Sequence, residues 1–400
     1  MLLKLSFVYV FVPLYIETNH LGISSAFSYE LLGTFYFESF LIFFVFFVSF
    51  ISGYKFTTSS SIYFSFYRNA EVKYYVGLTF IMLVCFFIFI AMYGGIQFVL
   101  ENSSRIRSGY VENKSYLASF INMFSYYSLI VLAALYALIN MGKGRGKKIF
   151  FVKVCFFILL VFTLFKLFVD GGRGGLIMFL MLFLFSYNLV NDKFPVKISI
   201  VVFFVSIFIG LFGKVFLFQI FNDNGLSFSE ALGKISFLDG IVKEYSHQYM
   251  SVKVILDSNA IGSRYFSDLL LWILKPFKLI GMDGVDSISY YNTYLIRGVW
   301  DSEVPPGVIA FSLYQGGVLF LLVYGFFLGF LVKFIDSTIT NTMSYSKSPF
   351  TIAISVVFLL YMPFLFLNSD PALFVQWSLV YIILFLFMVF SGRLKFYKVC

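Results

Sequence analysis

The sequence predicts an all-α polytopic membrane protein with about ten transmembrane helices and one long loop on the outer side of the membrane. Three observations carry that expectation. Hydrophobic residues make up 60% of the 400 residues, far more than leaves room for an ordinary polar surface. Charged residues are only 12%, and the runs 76–92 and 198–212 contain none. As helices, such runs cover most of a hydrocarbon core of roughly 30 Å. Finally, Lys and Arg concentrate in alternate segments between the apolar runs, as the sidedness of a multi-pass protein requires.

In chain order, the run at 2–17 has Lys4 near its start and no small-residue cleavage site after it, so it reads as a first anchor. Further spans are expected at 34–54, 74–98, 116–139, 149–169, 175–191 and 197–218. Three more follow at 306–332, 350–367 and 373–391. Pro305 and Pro306 favour a helix start, Glu303 complements its dipole, and Gly325 and Gly329 permit close packing of the helix that follows. The chain therefore divides into a seven-helix region (1–218), a long loop (219–305) and a three-helix region (306–400). A loop of that length needs structure of its own. Its stretch 265–280 has the apolar bias of a helix lying in the interface, broken by Pro276.

One set of segments carries Lys4, then Lys55, Arg68 and Lys73, then Lys143, Arg145, Lys147 and Lys148, then Lys193 and Lys197, then Lys333 and Lys347, and lastly Arg393, Lys395 and Lys398. The opposite short loops carry only Arg105, Arg107, Lys114 and Arg173. The richer set is expected in the cytoplasm, which puts both termini there and the long loop outside.

Composition also excludes function classes. The net charge of +9 is spread over short clusters rather than one basic face, which argues against a nucleic-acid partner and for membrane lipids. There is no GxxxxGK[ST], HExxH or CxxC motif, and His20 and His247 are the two histidines, so nucleotide hydrolysis and zinc chemistry are not expected. Cys85 and Cys155 fall inside predicted helices, and with Cys400 they form no disulfide or metal spacing. An ion-coupled transporter places ionisable groups in mid-membrane. Only Glu38 and Lys166 come near, and both stand close enough to a helix end to snorkel to an interface.

Two constellations on the outer side can carry chemistry. Asp170-Gly-Gly-Arg-Gly-Gly175 is a tight turn leading into an apolar helix. Convergent backbone N–H groups, a helix start and the Arg173 fork suit a phosphate or pyrophosphate; a plain glycine hairpin uses the same residues, and both readings stand. The segment 289–300 sets Tyr290, Tyr291, Tyr294 and Trp300 beside Asn292 and Arg297. Flat rings suit sugars and Arg297 an anion, while an aromatic belt at the headgroups is the alternative. His247, with Asp239, Glu244, Asp257 and Asp268, supplies possible general bases in the same loop, and Arg264 a further cation.

The turn GGRGG between two helices, the long late outer loop and the segment PPGVIAFSLYQGG together resemble the bacterial O-antigen or oligosaccharide repeat-unit polymerases of the Wzy type. The resemblance implies a GT-C-like glycosyltransferase of the bacterial inner membrane, acting at its periplasmic face without metal or cofactor. It implies undecaprenyl-diphosphate-linked oligosaccharides as donor and acceptor, with a chain-length regulator and a flippase as working partners. Arg173, Arg264 and Arg297 would then meet pyrophosphate, Tyr290, Tyr291 and Tyr294 sugar, and His247, Glu244 or Asp239 would act as base. An O-antigen ligase shares this layout, and a lipid-linked oligosaccharide flippase or secondary transporter is the reading from another class.

Overall fold

The computed structural model describes residues 5–18, 35–58, 61–66, 71–102, 106, 116–141, 147–170, 173–221, 237–268, 287–298, 304–367 and 370–398. A π-helical turn, Phe7–Phe11, leads into α1 (Val12–Thr18), followed by α2 (Phe35–Phe56) and a strand β1 (Ile62–Phe66). Then come α3 (Glu71–Met92), α4 (Ile96–Glu101), α5 (Tyr116–Phe124), α6 (Tyr127–Asn140), α7 (Lys147–Val169), α8 (Arg173–Asn191) and α9 (Val196–Phe221). The remainder is α10 (Phe237–Asp257), α11 (Ile288–Arg297), α12 (Gly307–Tyr345), α13 (Pro349–Leu367), α14 (Pro371–Phe390) and β2 (Leu394–Lys398).

Among the described residues, six helices are long and apolar enough to cross a membrane: Phe37–Phe56, Tyr74–Met92, Phe120–Asn140, Ile149–Leu167, Gly174–Asn191 and Gly307–Tyr345. Shorter apolar helices occupy Phe7–Ile16, Val196–Ser206, Pro349–Met362 and Ser378–Phe390. Large apolar side chains such as Phe37, Phe87, Phe157 and Leu319 point outward, as only a lipid solvent tolerates at this density. The chain is thus an all-α multi-pass membrane protein in class.

The chain falls into two compact units, Met1–Ser60 with Ser236–Ser337 and Met362–Trp377, and Ser61–Ile235 with Thr338–Tyr361 and Ser378–Cys400. In the first, α1, α2, α10, α11 and the N-terminal part of α12 share a core built on Tyr9, Phe46, Met250, Ile288, Phe311 and Tyr314. Two of these helices come from the long-loop sequence, and α10 contributes Tyr249, Val252 and Ile255 to the same core. Helices α2 and α12 approach closely enough that a Cβ at Gly329 would lie 2.1 Å from the Phe50 carbonyl oxygen and one at Gly53 2.0 Å from that of Phe326. The Ser49 hydroxyl donates across this seam to the Leu322 carbonyl. The paired glycines of GFFLG therefore do pack backbone against backbone. The helix read from 265 does not begin there: Tyr265 and Phe266 are left-handed, helix resumes only at Ser267, and 269–286 lie outside the described residues.

In the second unit, α3 packs against α5 and α6, α8 against α6 and α9, and α6 against α7. Phe86, Phe89, Tyr93, Ala118 and Val169 form one of its cores. Lys166 is fully buried, so it does not snorkel as its place near a helix end allowed. Strands β1 and β2 pair antiparallel, Ile62 with Lys398 through Phe66 with Leu394, and the Phe64 N–H donates to the Thr342 hydroxyl. Tyr63 stacks between Tyr345 and Tyr397 at 5.2 and 5.3 Å.

Candidate functional site

The most heavily built polar region of the first unit lies where α12 breaks. Gly317 has φ +66°, ψ −153°, a conformation essentially confined to glycine, and Gly316 beside it is non-helical as well. The break removes the helical donors that the carbonyls of Leu313 and Tyr314 would otherwise meet. Those carbonyls are taken instead by the N–H groups of Gly262, at 2.8 Å, and Arg264, at 3.0 Å. A discontinuous helix thus becomes the dock for the segment around Arg264, with its backbone groups satisfied.

Docking fixes the Arg264 side chain. Its Nε and Nη2 donate to the two carboxylate oxygens of Asp268 at 2.9 and 2.8 Å, and Gln315 Nε2 donates to Asp268 Oδ2 at 2.7 Å. The guanidinium lies 5.2 Å from the ring centre of Tyr291, which in turn meets Tyr314 edge-on at 5.6 Å. Behind this pair, the Tyr314 hydroxyl donates to Asn292 Oδ1, and Asn292 Nδ2 donates to Ser251 Oγ and the Val304 carbonyl, all at 2.9 Å. Thr293 accepts the Val304 N–H at 2.9 Å, while the Ser289 hydroxyl donates to Asp370 at 2.6 Å. Asn292, Tyr314 and Ser251 are fully buried. Polar groups so deep specify one arrangement because each loses much if its partner moves.

The expected site residues fall into distinct places. Arg264 and Tyr291 come together as described. Asp268, one of several carboxylates that could have been a base, is occupied as the counter-ion of Arg264, and Asp257 pairs with Lys253 at 2.8 Å. Tyr290, Tyr294 and Arg297 follow at helical spacing along one stripe of α11, with Tyr294 and Arg297 exposed. His247 is half-buried in the middle of α10, its carbonyl accepting the Ser251 hydroxyl at 2.8 Å. Asp239 and Glu244 stand on the same helix, their side chains outside the described residues, as is Trp300.

Arg173 belongs to the second unit and is the first residue of α8; its side chain and Gly171–Gly172 lie outside the described residues. What sequence reasoning missed is the machinery around Arg264: Gln315, Tyr314, the buried bonding role of Asn292 and the helix break itself. Two signals were available, the adjacent glycines inside an apolar helix and the four-residue spacing of Arg264 and Asp268. No protein-family profile, curated protein or solved structure matches this chain.

Proposed function

We propose that the protein polymerises undecaprenyl-diphosphate-linked oligosaccharide repeat units into O-antigen or a similar surface polysaccharide, by metal-independent glycosyl transfer at the periplasmic face of the bacterial inner membrane. In this reading the chain spans ten times, with both termini cytoplasmic and 219–305 outside. The observation that carries it is the break at Gly316–Gly317, which lies within the segment resembling the polymerases and supports a fixed arginine over an aromatic ring. Discontinuous helices are where membrane proteins expose polar groups to polar substrates at depth.

In the reaction, the acceptor sugar hydroxyl attacks the anomeric carbon of the donor glycan. The new C–O bond forms as the bond to the lipid pyrophosphate breaks, and the hydroxyl proton passes to a base, for which His247, Glu244 and Asp239 on α10 are the candidates. The pyrophosphate leaves with added negative charge, which an arginine fork offsets; Arg264 and Arg297 in the first unit and Arg173 in the second are each candidates for that role. Tyr290, Tyr291 and Tyr294 hold sugar rings by their faces.

Deletion of the gene tests the reading through gel-separated lipopolysaccharide. The expected result is lipid A core carrying a single repeat unit with no ladder of longer chains. Loss of the single unit as well would point instead to a ligase or a flippase, and an intact ladder would remove all three readings.

A further inference from the structure

The second unit carries an apolar groove of about 480 Å³ between α3 and α14. One wall is α3, where Tyr74, Leu78 and Ile81 recur at the spacing of a single helix face, about 10 Å from end to end. Gly77 stands in that wall with nothing within 4 Å of the Cβ it lacks, so the open space reaches its backbone. The other wall is Ile383, Leu384 and Phe387 of α14. Tyr127 lies between the walls, and its hydroxyl is spent on the Val380 carbonyl at 3.0 Å, which leaves the ring to line the groove. Ile81, Ile383 and Phe387 are exposed at the rim, so the groove opens outward, where a membrane helix meets lipid. A flexible hydrocarbon chain can follow such walls and restore the dispersion contacts that their side chains otherwise lack.

One end of the groove adjoins a cluster of cations. Tyr74 meets Phe66 of β1 edge-on at 5.2 Å, and Phe66 is the register partner of Leu394 in β2. Arg393 and Lys395 flank Leu394, Lys398 ends the strand, and all three are exposed. Arg393 is folded back on α14: its N–H donates at 2.9 Å to the carbonyl of Met388, the residue after Phe387. Neither β1, β2 nor the last turn of α14 contains an Asp or Glu, so the charge of these elements is wholly positive. An apolar slot that ends at uncompensated cations is complementary to a molecule with a hydrocarbon chain and an anionic head.

We propose that this groove holds one acyl chain of an anionic phospholipid, whose phosphate is met by Arg393 and Lys395. A zwitterionic phospholipid brings the same chain, but its own cation offsets the phosphate, so it gains less from the pair. The site lies apart from the arginine and tyrosine residues assigned to glycosyl transfer and does not depend on that reading.

The test is native mass spectrometry of the full chain, purified in detergent, stripped of lipid and titrated with dioleoyl phosphatidylglycerol or dioleoyl phosphatidylcholine. The wild type is expected to bind its first phosphatidylglycerol about tenfold more tightly than phosphatidylcholine. Gly77→Leu, which places a side chain in the open groove, should weaken that first binding about tenfold. Arg393→Gln with Lys395→Gln should erase the preference between the two lipids. Equal affinity of the wild type for both lipids would mean non-specific lipid contact only and overturns the proposal, as does wild-type binding by Gly77→Leu. A preference that survives the loss of both cations overturns their part in it. Displacement of phosphatidylglycerol by an equimolar amount of farnesyl phosphate would assign the groove to an isoprenoid chain instead, and overturns the choice of occupant. Ile81→Trp narrows the same groove from its exposed rim and decides the question in the same way should Gly77→Leu fail to fold.

Discussion

Replacing Gly329 by Ala puts a methyl group into the seam between α2 and α12. Its Cβ would stand 2.1 Å from the Phe50 carbonyl oxygen, 2.8 Å from the Tyr54 nitrogen and 3.0 Å from the Phe50 carbonyl carbon, all backbone atoms that no rotamer change can move. Relief requires the two helices to separate by on the order of 1 Å, since ordinary contact begins about 3.5 Å apart. Overpacking of this kind costs about 1–3 kcal/mol. The same separation stretches the bond from Ser49 to the Leu322 carbonyl, adding about 1 kcal/mol. The expected loss is therefore about 2–4 kcal/mol of unfolding free energy, read by titrating the purified protein with sodium dodecyl sulfate. Gly53→Ala, with its Cβ 2.0 Å from the Phe326 carbonyl oxygen, should cost a similar amount. The double variant should cost less than the sum, because one separation relieves both clashes. Gly77→Ala is the control: nothing lies within 4 Å of its Cβ, and better helix propensity should leave stability unchanged or raise it by up to about 1 kcal/mol. Equal stability of Gly329→Ala and Gly77→Ala would refute the close-packed seam.

Three further outcomes are expected. Arg173→Ala should abolish long glycan chains at matched membrane expression, Arg173→Lys should restore them in part, and Ala at Arg105, which lies outside the described residues, should leave the ladder normal; a fixed donor in such a role contributes about a hundredfold or more in rate. Asp268→Ala removes the acceptor of Arg264 and Gln315 and should lower unfolding free energy by about 3 kcal/mol, the lower end for a broken buried pair because the Arg264 side chain is 18% exposed; Arg264→Met with Asp268→Leu should recover most of it. Alkaline phosphatase fused after Asn224 should be active and after Lys148 inactive, the reverse result removing the outward placement of the long loop.

The helices were legible because an apolar run long enough to cross a bilayer has few other uses, and an apolar helix occupies each place where a span was expected. The seam at Gly325 and Gly329 was legible for a similar reason, since small residues four apart mark one helix face. Asp268 was not: in sequence it is one carboxylate among several, and only the folding of 260–268 onto the broken helix gives it Arg264 and Gln315 together. For Lys166 the local half of the answer was visible in the four-residue spacing to Asp170. The other half, Asn122 on α5 and Tyr126 in the turn after it, is remote in sequence, and without them an exposed lysine was the simpler inference. The two strands were missed because Ile62-Tyr-Phe-Ser-Phe66 and Leu394-Lys-Phe-Tyr-Lys398 are five residues each, too short for their alternation to stand out among so many aromatic and apolar runs.

That small ribbon sets an order on biosynthesis. β1 leaves the ribosome early, with Phe64 and Phe66 destined for burial and Phe66 for a stack on Phe350 at 4.4 Å. Its hydrogen-bonding partner is translated only after every helix from α3 to α14 has been made. Through that interval β1 is an aromatic segment with unpaired backbone edges, the kind of surface that invites pairing with a neighbouring nascent chain. Slowed translation of the later helices should therefore lengthen the exposure of β1 and raise aggregation, whereas a change that weakens only β2 should leave the helices inserted and the ribbon open.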